Sequence, residues 1–217
     1  MEQTVPIDMI VLLTKRSSKS TQTERIPEVL NDGLEKIDLK KFDYFLRVDG
    51  HVVLPKDFLG KNLEGEPDTL YGAGFSIVKI APFIEIMGGR YYYLNDDSYL
   101  NAKFKQHGKK VGEQKIGLLH KEHAFNPKYY VERGRMLYLL GWTPFHILGI
   151  MSSTLARNRV REETCYNIFV IGSYFLSFLV RPPKLAIAGF VRDYQIRSEV
   201  QHLTGLSKKF SRLHFRL

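Results

Sequence analysis

Phe42-Asp43-Tyr44-Phe45-Leu46-Arg47-Val48-Asp49-Gly50-His51 is the stretch that decides the fold. Its aromatic, apolar first half has the length and composition of a buried strand. Asp49 and His51 then emerge together at the strand's carboxyl end, the edge where open α/β sheets bind ligands. Upstream, Ile7 to Thr14 form an apolar run, and Glu24 to Ile37 place Ile26, Val29, Leu30, Leu34 and Ile37 at helical spacing. Strand, helix and strand make one βαβ unit, a connection that is parallel and right-handed in nearly every case. That topology brings the basic, Ser/Thr-rich loop from Lys15 to Thr23 to the edge that carries Asp49, so Lys15, Arg16 and Lys19 can face a diphosphate.

A second acidic patch, Asn95-Asp96-Asp97-Ser98-Tyr99-Leu100, follows Gly88-Gly89-Arg90-Tyr91-Tyr92-Tyr93-Leu94. Adjacent carboxylates can supply a base of raised pKa, because like charges held close resist ionising together. The competing role is a helix cap ahead of Ser98 to His107, which reads as a short helix ended by Gly108. Lys109 to Ile116 reads as a strand, and Gly72-Ala73-Gly74 as a glycine-rich turn. Strands alternating with helices predict an α/β sheet. The two acidic patches together predict a metal-dependent transfer site.

The order of these motifs resembles family 2 glycosyltransferases over roughly residues 5 to 145. It runs from an Asp-x-Asp-like turn through Val52-Val53-Leu54-Pro55, Phe58-Leu59 and Gly72-Ala73-Gly74 to Gly88-Gly89, Asp96-Asp97 and Tyr99-Leu100. The resemblance implies a GT-A-like fold, mostly parallel sheet flanked by helices, and inverting transfer of a sugar from a nucleotide-diphosphate donor to a lipid-linked or glycan acceptor. It implies Asp97 as the base, Asp96 as its neighbour, and Gly72 and Gly74 packed under the donor. A divalent cation would sit on Asp49 and His51. Histidine stands where the family has a second acid, which favours Mn²⁺ over Mg²⁺. Arg25 and the pair Arg133 and Arg135 are candidate phosphate contacts, the pair as a bidentate clamp. His120 and His123 fall on a predicted loop that can return to the site. Asn31, in Asn31-Asp32-Gly33, reads as a packing residue and Trp142 as core or interface.

The element that grips the nucleotide base in that family is not visible ahead of Asp49, which leaves room for a partner chain, a homo-oligomer, or a catalytically inactive membrane scaffold. The chain has 217 residues, 44% hydrophobic and 25% charged, ordinary for one sizeable core. A single cysteine, Cys165, excludes an internal disulfide framework and a cysteine-based zinc site. The amino terminus has no secretory pattern, which predicts a cytoplasmic protein. A net charge of +9 implies attraction to a polyanion. Basic residues flank apolar runs and form no nucleic-acid reading motif, so an anionic membrane surface is the expected partner and nucleic acid is not.

The organisation expected is a GT-A-like domain over 1–150 followed by a helical, basic, apolar region over 151–217. Tyr166 to Val180 is apolar nearly all round, with Asn167, Ser173 and Ser177 as a narrow polar stripe. It must be buried in protein or laid on a bilayer, since 15 residues give a helix of about 22 Å, short of a hydrocarbon core roughly 30 Å thick. The basic tail Ser207 to Leu217 also suits a membrane surface.

Overall fold

The computed structural model describes residues 5–13, 17–19, 21–72, 74–92, 94, 96–116, 119–120, 126–156 and 161–200. The chain divides into two compact units, Met1–Phe125 and Asn126–Leu217.

In the first unit, the helical pattern after Thr21 forms α1 (Gln22–Leu34). The aromatic run forms β1 (Tyr44–Val48), and β2 (Val52–Val53) follows after the Asp49–His51 turn. Then come α2 (Phe58–Leu63), β3 (Thr69–Gly72), β4 (Phe75–Lys79), α3 (Ile80–Met87), α4 (Asp96–Gln106) and β5 (Leu119–His120). The main sheet has the order β1-β4-β3, and both pairings are antiparallel, with Arg47 opposite Ser76 and Gly72 opposite Phe75. The second sheet pairs β2 with β5, also antiparallel.

This overturns the mostly parallel, GT-A-like sheet. Among the described residues the parallel pairing is an isolated bridge between Thr69 and Val111, where a strand over 109–116 was expected. Two physical causes account for it. β3 ends at Gly72 and β4 begins at Phe75, and so short a link joins only antiparallel strands, whereas a parallel pair needs a crossover of a dozen residues or more. The expected first strand, Ile7 to Thr14, forms no strand over its described residues 7–13, and Ile10 and Leu12 are 75% and 82% exposed, so among the described residues α1 crosses between no pair of parallel strands.

Strand alternation builds the core. β4 is central and buried on both faces. Phe75 and Ile77 pack with Phe58, Leu59 and Leu70, while Val78 packs with Phe83, Tyr91, Leu100 and Phe104. On β1, Tyr44 and Leu46 join the first cluster and Phe45 the second, where it meets Phe83 edge-to-face at 5.0 Å. Arg47 therefore shares the face of Phe45, toward α3 and α4.

The second unit is helical: α5 (Pro127–Leu139), α6 (Pro144–Ala156), α7 (Arg161–Val180) and a helical stretch over 188–200. α5 and α7 approach closely at Gly134, where an added Cβ would lie 2.1 Å from the Val170 carbonyl oxygen. Gln195 accepts a hydrogen bond from the Thr143 amide at 2.9 Å, which ties 188–200 to the start of α6. No helix among the described residues is long and apolar enough to cross a membrane.

Candidate functional site

Two periodicities converge on one guanidinium. Along β1, the residue two beyond Phe45 on the same face is Arg47, and its side chain is only 9% exposed. Along α4, Leu100 and Phe104 are fully buried in the core, and Asp97 lies one turn before Leu100 on the same helical face. The core-facing side of the helix thus delivers Asp97 to the end of β1. Arg47 Nη1 donates to Asp97 Oδ2 at 2.9 Å, while Nε and Nη2 both donate to Asp49 Oδ1 at 3.1 Å. Nη2 also reaches Asp49 Oδ2, at 3.4 Å. Two carboxylates 48 positions apart share one cation.

Each carboxylate is fixed from behind. The Asp49 amide donates to the Gly74 carbonyl at 2.8 Å, and the Asp49 carbonyl accepts from the Val52 amide at 2.9 Å, which closes the turn. The Asp97 carbonyl accepts from Asn101 Nδ2 at 2.7 Å, inside α4. Asp97 Oδ1 is out of solvent. Tyr99 stacks on Tyr92 at 4.0 Å beside this first turn of α4. Asp97 is paired with the opposite charge of Arg47, and the like charge that the sequence suggested belongs to Asp96. Asp96 opens α4, and its side chain lies outside the described residues.

The His51 ring lies over the hairpin. A Cβ on Gly74 would meet His51 Nε2 at 3.2 Å and Val52 Cγ2 at 2.5 Å, and Gly74 has φ +80°. A Cβ on Gly72 would fall 2.3 Å from the Phe75 ring. Both glycines are thus accounted for by the hairpin and its contacts with the Asp49 turn, and the space at Gly74 is filled by protein. The chain does return to this edge: β5 sets His120 opposite Val52. The His120 side chain and all of His123 lie outside the described residues, as do Lys15 and Arg16.

The remaining sequence candidates lie on other elements. Arg25 is exposed on α1. Arg133 and Arg135 are exposed on α5 in the other unit. Two positions apart on a helix, they point roughly 200° from one another and cannot clamp one diphosphate together. Asn31 packs as expected, its amide bridging the Tyr91 backbone at 2.7 Å and 3.0 Å. Trp142 accepts the Tyr174 hydroxyl through its carbonyl and meets His146 edge-on.

The sequence reading passed over Arg47. The signal was present, since a charged residue on the inward face of an aromatic strand requires a buried partner.

A divalent cation can be tested against this donor set. Among the described residues no group of three His, Cys, Asp or Glu is placed to hold a metal. Asp49 Oδ2 engages Arg47 only at 3.4 Å, so it retains lone-pair capacity, and His51 sits two residues away on the same turn. Two protein donors completed by substrate phosphate oxygens is the ordinary manner in which Mg²⁺ and similar ions sit at phosphate-handling sites. The residues fit a cation that arrives with its diphosphate.

No protein-family model, curated protein or solved structure matches the chain at a significant level.

Proposed function

We propose that the first unit transfers a sugar from a nucleotide-diphosphate donor to a lipid-linked or glycan acceptor, with inversion, at the cytoplasmic face of a membrane. The single observation that carries this reading is the meeting of Asp49 and Asp97 on Arg47. In such a transfer the acceptor oxygen bonds to the anomeric carbon as the bond from that carbon to the diphosphate oxygen breaks. The acceptor's proton passes to a carboxylate, and the diphosphate leaves with the electron pair. Asp97 takes the proton in this account. Arg47 pairs with Asp97 at 2.9 Å, and Asn101 and the core-anchored turn of α4 fix its position.

Asp49 and His51 stand on the diphosphate side. Carboxylates beside a diphosphate call for a cation on the donor, Mn²⁺ ahead of Mg²⁺ given the imidazole. When bound, that cation would neutralise charge on the departing diphosphate.

A second reading is favoured by a specific observation: both carboxylates are already engaged by Arg47, as in a structural ion-pair triad. On that reading the chain is a catalytically inactive relative that scaffolds a partner. The deciding experiment incubates the full chain with Mn²⁺ and a panel of nucleotide sugars and measures nucleoside diphosphate release with and without acceptor extract. Release that vanishes in Asp97→Asn supports transfer. A folded protein that neither releases nucleotide nor is thermally stabilised by any donor with Mn²⁺ supports the scaffold.

A further inference from the structure

The outward face of α7 carries the wrong residues for water. Ile168, Phe169, Gly172, Leu176, Leu179 and Val180 fall within about 120° of helix circumference. Leu176, Leu179 and Val180 are 62%, 77% and 70% exposed. The opposite side, which packs into the unit, holds Val170, Tyr174 and Ser177, all buried. Hydroxyls are turned inward and satisfied there: Ser173 donates to the Val131 carbonyl at 2.6 Å, Ser177 to the Ser173 carbonyl at 2.9 Å, and Tyr174 to the Trp142 carbonyl at 2.6 Å. The polar stripe is the packed face and the apolar face is outside, the reverse of a helix on a water-soluble bundle.

We infer that this face of α7 docks on an anionic lipid bilayer, lying in the headgroup region without crossing it. Three observations select a bilayer over another protein. Among the described side chains from Ile168 to Val180, the outward stripe offers none that hydrogen-bonds, whereas protein interfaces of useful size carry roughly one hydrogen bond per 100–200 Å². Between Glu163 and Asp193 the chain has no acid, and Arg181 and Lys184 follow directly on the exposed Leu179 and Val180. Basic residues beside an apolar stripe complement anionic headgroups. The helix is also not long and apolar enough to span, which leaves the interface as the lipid region that suits it.

The test uses the full chain and no nucleotide sugar, so it stands apart from the transfer reading. Flotation is measured with vesicles of phosphatidylcholine alone and of phosphatidylcholine mixed with phosphatidylglycerol. The wild type is expected to float with the mixed vesicles, and less so at high salt. Leu176→Gln/Leu179→Gln, which replaces exposed side chains by a good helix former, should keep its helical spectrum and lose at least tenfold in bound fraction. Arg181→Gln/Lys184→Gln should lose the preference for phosphatidylglycerol. A second probe, Leu179→Trp, leaves the face apolar, and its emission should shift to the blue on adding mixed vesicles, beyond any shift of Trp142 in the wild type. The inference is overturned if the wild type stays unbound with both vesicles, if the glutamine pair floats like the wild type, or if Leu179→Trp shows no added shift. It is equally overturned if the wild type is a dimer that the glutamine pair splits, since a second copy would then cover the face.

Discussion

Replacing Arg47 by Met tests whether the two acidic patches are held together by one charge. The guanidinium is nearly closed to solvent, while the carboxylates of Asp49 and Asp97 retain 33% and 21% of their exposure. Removing one partner of a fully buried ion pair costs about 3–5 kcal/mol, because a charge is left without compensation, and an exposed pair is worth about 0–1 kcal/mol. This triad lies between those limits, so Arg47→Met should cost about 2–3 kcal/mol. With a urea dependence of roughly 2–3 kcal/mol per molar, the unfolding midpoint should fall by about 1 M at unchanged slope. The loss has a charge signature. In an Asp49→Asn/Asp97→Asn background the same replacement should cost under about 1 kcal/mol, since no buried negative charge is then stranded. A single-variant cost below about 0.5 kcal/mol, or equal costs in the two backgrounds, would refute the reasoning.

Three further outcomes follow from the packing. Asn31→Ala strips both hydrogen bonds from the backbone of buried Tyr91 and should destabilise by about 1–3 kcal/mol in urea unfolding. Gly74→Ala meets a left-handed φ and Val52 Cγ2 at 2.5 Å, so it should cost about 1–3 kcal/mol and loosen the Asp49 turn, seen as faster amide exchange at Asp49 and Val52. The Tyr174 phenol is pushed up to about 12 by burial, with Tyr138 adding to the effect, against an ordinary value of 10.0. Its neutral form is thus favoured when folded, so part of the stability present below pH 10 is lost as pH rises toward 12, and thermal melts of Tyr174→Phe should lack that loss.

Some of this was legible in the residues and some was not. The helical spacing of Ile26, Val29, Leu30 and Leu34 yields α1, and the helix expected from Ser98 to His107 forms as α4. The spacing of Asp97, Leu100 and Phe104 also placed Asp97 on a buried face, so the meeting of the two acidic patches was within reach of periodicity alone. Strand direction was not. An apolar run signals a strand without naming its neighbour, and Ile7 to Leu13 lack one here. The Gly-Ala-Gly link between Thr69-Leu70-Tyr71 and Phe75-Ser76-Ile77 is a hairpin signal that the donor-cradle reading displaced. On α7 the sequence defined a polar stripe correctly, yet only packing against Gly134 and Val131 decides that the stripe faces inward.

The most direct measurement of the central claim is nucleoside diphosphate release by the wild type and by Asp97→Asn, on the same nucleotide-sugar panel with Mn²⁺, with folding of both checked by thermal melts. The account predicts release by the wild type on at least one donor and a loss of a hundredfold or more in the folded variant, the scale of a removed general base. Equal release by the two proteins would contradict it.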